Sequence, residues 1–132
     1  MLKELRCHTT LPAADLERAK KFYAEKLGLT PSTESPGGIF YEVAAGTRFI
    51  LYPTQNPTRG GHTQIGFATP DIRKEVAALK ARGVVFEEYD FPGLKTEGSI
   101  AKTGDTHAAW FKDSEGNTIG IVQLPPGAEP GA

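Results

Sequence analysis

Two stretches of the chain carry apolar residues at helical spacing. In "ADLERAKKFYAEKLGL", Leu16, Ala19, Phe22, Tyr23 and Leu27 recur every three or four positions and mark one apolar face. Asp15 is placed to cap the first turn, Glu17 suits the positive end of the helix dipole, and Gly28 permits a left-handed exit. The second stretch, "PDIRKEVAALKARGV", repeats the design with Asp71 as cap, an Ile72, Val76, Leu79 stripe and a terminating Gly83. Between and around these helices the pattern shortens to β-type runs: "ELRCHTTL", "GIFYEVAA", "TRFILYPT", "HTQIGFAT", "GVVFEEY", "THAAWFK" and "NTIGIVQL". A further short strand is expected in "LTPSTES", although its proline and serines oppose it.

The order of elements repeats. The chain divides near "NPTRGG", Asn56 to Gly61, into halves that each read strand, helix, then several strands. A half of this size cannot bury both faces of its sheet, so one domain is expected over residues 1–124. Its modules lie at about 1–55 and 62–124, and 125–132 form a flexible tail. Alternation places Arg48, Ile50 and Tyr52 on one strand face and Phe49 and Leu51 on the other. In the second half it separates Thr118, Gly120 and Val122 from Ile119 and Ile121. The more apolar face is expected to pack on the helices, leaving the mixed face to line a cavity. Trp110 and Phe111 fall on opposite faces, with nothing in the pattern to say which of them enters the core.

Charge narrows the classes of partner. Fifteen basic and sixteen acidic residues leave the 132-residue chain near neutrality, with no basic block to follow a phosphate backbone, so nucleic acid is not an expected partner. No apolar run approaches the ~20 residues that cross a bilayer, and "MLKELRCHTTLP" lacks the apolar core of a secretory signal. No membrane partner and a cytoplasmic location are therefore expected. The single cysteine, Cys7, has no internal disulfide partner and reads as a small buried hydrophobe of the first strand.

Two separated motifs in the right order, "HTTLPAADLERAKKFYAEKLGL" and "AAWFKDSEGNTIGIVQ", resemble the opening strand and helix and the closing hairpin of the vicinal oxygen chelate superfamily. That group includes glyoxalase I, bleomycin-resistance proteins, extradiol dioxygenases and fosfomycin-resistance enzymes. The resemblance covers about residues 4–124. It implies an α+β fold in which two βαβββ modules form a cup-shaped mixed sheet. It also implies a homodimer, as many small members are, and, in the enzymes, a divalent metal on the concave face. The metal's ligands commonly come from the first and last strands of each module, and it polarises a substrate bearing adjacent oxygens.

Carried over by position, the first-strand ligands fall on His8 and Gln64, each seven residues before a capping aspartate, and the last-strand ligands on Ile50 and Gly120. Neither Ile nor Gly donates a side-chain electron pair, so both carboxylate positions are empty. The favoured reading is a protein that binds a small organic ligand without a metal or other cofactor, in a cavity of His8, Thr10, Arg48, Ile50, Tyr52, Gln64, Trp110 and Gly120. His8 and Gln64 would orient the ligand, Arg48 would meet an anionic or carbonyl group, and aromatics would supply contact area. The alternative is a glyoxalase-like lyase, isomerase or dioxygenase. It would use one divalent transition metal held by His8 with unconventional partners such as His62 and Gln64, or His8 as a metal-free general base. The segment Tyr89 to His107 reads as a long loop bordering the cavity, with Tyr89, Phe91 and Lys95 as contacts and His107 as a solvated loop residue.

Overall fold

The structure, a computed structural model, describes residues 1–56 and 58–127. Strand β1 (Thr9–Ala13) leads into α1 (Leu16–Leu27), followed by β2 (Thr33–Ser35), β3 (Gly38–Glu42) and β4 (Arg48–Pro53). The second half runs β5 (Thr63–Ala68), α2 (Ile72–Ala81), β6 (Asp90–Phe91), β7 (Leu94–Glu97), β8 (Ile100–Thr103), β9 (Thr106–Lys112) and β10 (Thr118–Gln123). Both helices start as their caps dictate: Asp15 accepts the Arg18 backbone N–H and Asp71 that of Lys74, each satisfying a donor the first turn leaves unpaired. α1 stops at Gly28, whose φ of 69° a β-carbon would disfavour.

Each half closes its sheet in the same way. The first sheet has the order β1-β4-β3-β2 and the second β5-β10-β9-β8-β7-β6. In both, the first strand of the module pairs in parallel with the last, while the remaining neighbours are antiparallel. Parallel partners require a crossover, and the helix supplies it. This is the expected α+β arrangement of paired βαβββ modules, with the second extended by β6 and β7.

The alternation expected of the strands holds. Leu11, Ala13, Phe49, Leu51, Ile119 and Ile121 are buried on the faces turned toward the helices. They join one apolar cluster that draws on both modules. Stacked Tyr41 and Phe49, 4.9 Å apart, sit beside Tyr23, and Phe49 meets Phe67 of the second module edge-on. Burial pushes the Tyr41 hydroxyl up to about 12, with the nearby Glu34 charge adding to the effect.

Several local expectations are corrected. The first strand starts only at Thr9, opposite Phe49, so most of "ELRCHTTL" lies upstream of its partner β4, which begins at Arg48. Leu2–Glu4 form a 3-10 turn instead, and Cys7 is exposed, not a buried hydrophobe of a strand. "GVVFEEY" is no strand: it makes a single bridge, Phe86 to Phe111, and leaves Val85 84% exposed. Tyr89 to His107 is not a loop but a run of antiparallel hairpins through β6, β7, β8 and β9. Gly93, Gly98 and Gly104, all at positive φ, make its turns. Glu88 accepts hydrogen bonds from the hydroxyls of Thr96 and Ser99, fixing the tip of one of them. His107 accordingly lies within β9, half-buried, rather than in a loop. The tail expected to be flexible falls largely on 128–132, outside the described residues.

Candidate functional site

On the sheet faces turned away from the helices lie two grooves, one per module. In module one, Thr10 of β1 and Phe40 of β3 flank Ile50 of β4 in register, so the three side chains share a face. At the end of these strands a groove of about 620 Å³ is lined by His8, Phe40 and Arg48, together with Cys7 and Thr47. His8 stands just before β1 and is exposed, and the Arg48 guanidinium lies 3.4 Å from the Glu42 carboxylate on the same rim. Tyr52, half-buried, sits two residues along the face from Ile50 and beside Pro12.

Module two has an aromatic wall. Trp110 is the register partner of Gly120, and a groove of about 490 Å³ is lined by Trp110, Tyr89, Leu94, His62, Thr63 and Lys112. The Tyr89 ring meets Trp110 at 5.6 Å and 68°, and Phe91 lies 5.8 Å from Tyr89. Phe111 takes the other face and is buried in the core at 1% exposure, which resolves the choice that the sequence left open. Partial burial, then the Glu87 charge, raises the Tyr89 hydroxyl above its ordinary value, so it is a neutral donor at physiological pH.

Gly120 serves this wall. A β-carbon there would lie 3.2 Å from Thr63 Cγ2 and 3.6 Å from Trp110 Cδ1 and Nε1. The close approach is that of the Thr63 methyl, with the indole in ordinary contact beside it, so the position that the resemblance assigns to a carboxylate is bordered by Thr63 and aromatic surface.

Gln64 does not point into the groove as expected. The β5–β10 register jumps between Thr118, opposite Thr63, and Ile119, opposite Ile65, leaving Gln64 as the extra residue of a bulge. Its Oε1 accepts from the Thr58 hydroxyl at 3.0 Å and the Thr118 N–H at 3.3 Å, while Nε2 donates to Asn117 Oδ1 at 3.0 Å. Thr63 takes its place in the groove.

Asn117 belongs to a buried polar turn that ties the modules together. Its Nδ2 donates to the Pro12 carbonyl and to Asp113 Oδ2, which also accepts the Tyr23 hydroxyl at 2.7 Å. Glu115 receives the Arg18 guanidinium through two hydrogen bonds, of 2.8 and 3.0 Å, and the Asp15 N–H at 2.9 Å. "DSEGN" reads in the sequence only as a hairpin turn. Its acidic residues facing inward are the signal missed there, since nothing local says that a helix from the other half supplies the partners.

The four positions at which relatives of this fold hold a metal do not fit one here. Ile50 offers no donor, Gly120 lies under Trp110, and Gln64 is engaged by Thr58, Asn117 and Thr118. The displaced set is not brought together either: His8 lines the first groove, His62 the second, and Gln64 neither.

The Glyoxalase/Bleomycin resistance protein/Dioxygenase superfamily model matches residues 7–121. The chain belongs to this superfamily. It is 31% identical over 131 residues to Uncharacterized protein YurT of Bacillus subtilis (strain 168), covering 87% of this chain and 95% of that one. Among solved structures it resembles TnmS3, an antibiotic binding protein from Streptomyces sp. CB03234, at 25% identity and a TM-score of 0.62, over 92% of this chain and 98% of that chain. Lactoylglutathione lyase from Agrobacterium tumefaciens shares the fold at 17% identity and a TM-score of 0.66, over 90% and 92% of the two chains. One fold thus carries both a binding protein and an enzyme, and the site residues have to discriminate between them.

Proposed function

We propose that this superfamily member binds a flat, partly aromatic small molecule on its concave surface without a metal. The observation that carries this reading is Trp110 lying beside Gly120 and meeting Tyr89, which Phe91 backs in turn, where a metalloenzyme of this family would place a ligand. An aromatic wall gains stacking and apolar burial, and a few polar groups fix orientation. Arg48, His8 and Thr10 supply these from module one, and Thr63 and Lys112 from module two. TnmS3 is an antibiotic binding protein, which is consistent with this class of ligand.

The protein acts as a homodimer. Within one chain the His8 groove and the Trp110 groove are separate, and each is an open half-site. Facing the first module of one copy with the second of another would enclose a ligand between cation and aromatic wall. Leu2 and Leu5, 82% and 65% exposed and just ahead in sequence of the groove-lining Arg6, Cys7 and His8, are apolar surface that such a partner would cover.

The test is a thermal-shift screen of metal-stripped protein against planar aromatic metabolites and aromatic antibiotics, since any molecule bound only by the folded state raises the melting temperature. The expected result is a concentration-dependent rise that chelator does not abolish. About one tightly held transition metal per chain, lost in His8→Ala, would overturn the metal-free reading.

A further inference from the structure

On the opposite side of module two from the aromatic wall, α2 and the outer strands enclose another cavity, of about 380 Å³. From α2 come Arg73, Val76, Ala77 and Lys80, a single stripe at spacings of three and four. Facing them are Ile100 and Lys102 of β8 and His107 of β9, with Lys102 and His107 side by side as register partners. The floor is apolar: Val76 is 4% exposed and Ile100 packs on the core.

The rim carries three cations, none of them in a close ion pair among the described residues, although Lys80 lies near enough to Glu88 to favour its charged form. Among the described residues no carboxylate oxygen lies within 4.0 Å of the charged nitrogens of Arg73, Lys80 or Lys102, and Glu97 is the one acidic residue lining the cavity. His107 Nδ1 is buried and has no hydrogen-bond partner among the described residues. That atom is closed off from the cavity, so the ring lines the wall through its other atoms. Arg73 also lines a smaller adjoining cavity together with Asp71, Gln123 and His107.

We infer that this cavity binds a small organic carboxylate with an apolar body, an aryl or branched-alkyl acid. The carboxylate pairs with Arg73 and Lys102, and the body rests on Val76, Ala77 and Ile100. Guanidinium and carboxylate match in shape as well as charge, and the apolar floor discriminates against inorganic anions. This site shares no residue with the proposed concave site, and either can fail without the other.

The probe is 4-methylpentanoate, a branched-alkyl acid with no ring to stack on the aromatic wall, titrated into isotope-labelled full-length protein and followed by amide chemical shifts. The expected result is saturable binding with the largest shifts at Ala77, Ile100 and Lys102. The affinity should fall at least tenfold in the double variant Arg73→Gln, Lys102→Gln and for the neutral amide of the same acid. Both substituted cations are exposed, so an unchanged melting temperature verifies that the variant is folded. Shifts clustered around Trp110 and Gly120, an unaltered affinity in the double variant, or no saturation would each overturn the inference.

Discussion

Adjacent Trp110 and Phe111 take opposite roles because a strand alternates its side chains. Phe111 meets Phe86 at 5.3 Å in the core, whereas Trp110 borders an open groove. Phe111→Ala should therefore cost about 3–5 kcal/mol, as core aromatic truncations do, while Trp110→Ala costs much less. Chemical denaturation of the two variants checks this, and equal losses would mean that Trp110 is a core residue. Gly120 belongs to the same pair of strands. The sequence shows that it cannot be a ligand, but not that the indole lies beside it, because which of two neighbours faces the groove depends on strand register.

Among the elements, the β9–β10 turn holds the modules together through charge. Burial pushes the Glu115 carboxyl up, but hydrogen bonds from Arg18, the Asp15 N–H and Ser114 outweigh it and hold it below the ordinary value. A carboxylate depressed in the folded state stabilises fully above its unfolded pKa, about 4.3, and that stabilisation is lost as pH falls through the folded pKa. Glu115→Gln should cost about 2 kcal/mol at pH 7, the range for hydrogen bonds to a charged group. Its deficit relative to wild type should shrink on acidification below about pH 4. Urea unfolding at a series of pH values measures both, and a deficit independent of pH would show that the charge is not what matters.

Both helices, their caps and most long strands were legible, since amphipathic spacing and Asp–Gly punctuation are local signals. The hairpins between Tyr89 and His107 were not, because β6 and β7 are short, polar and exposed, and their turns are marked only by Gly93, Gly98 and Gly104. The bulge that turns Gln64 out of the groove was equally hidden. It depends on partners 53 residues away at Asn117 and 54 away at Thr118, and a one-residue offset moves a side chain to the other face.

At the scale of the whole molecule, the two modules share a core yet present their grooves separately, and the proposed dimer would unite them. Light scattering during size exclusion should give twice the chain mass at micromolar concentration. Replacing Leu2 and Leu5 by Asp should shift this toward monomer and weaken ligand binding together. A monomeric wild type that binds ligand fully would refute the shared cup.

Trp110 is the only tryptophan, so its fluorescence reports the proposed site without a label. The most direct measurement is a titration of chelator-treated protein with an aromatic ligand taken from the thermal-shift screen, repeated for Arg48→Ala and after adding back divalent metals. Saturable quenching is expected, at least tenfold weaker in Arg48→Ala and indifferent to metal. Quenching that appears only with added metal, or with an affinity untouched by Arg48→Ala, would contradict a metal-free cup built from Trp110 and Arg48.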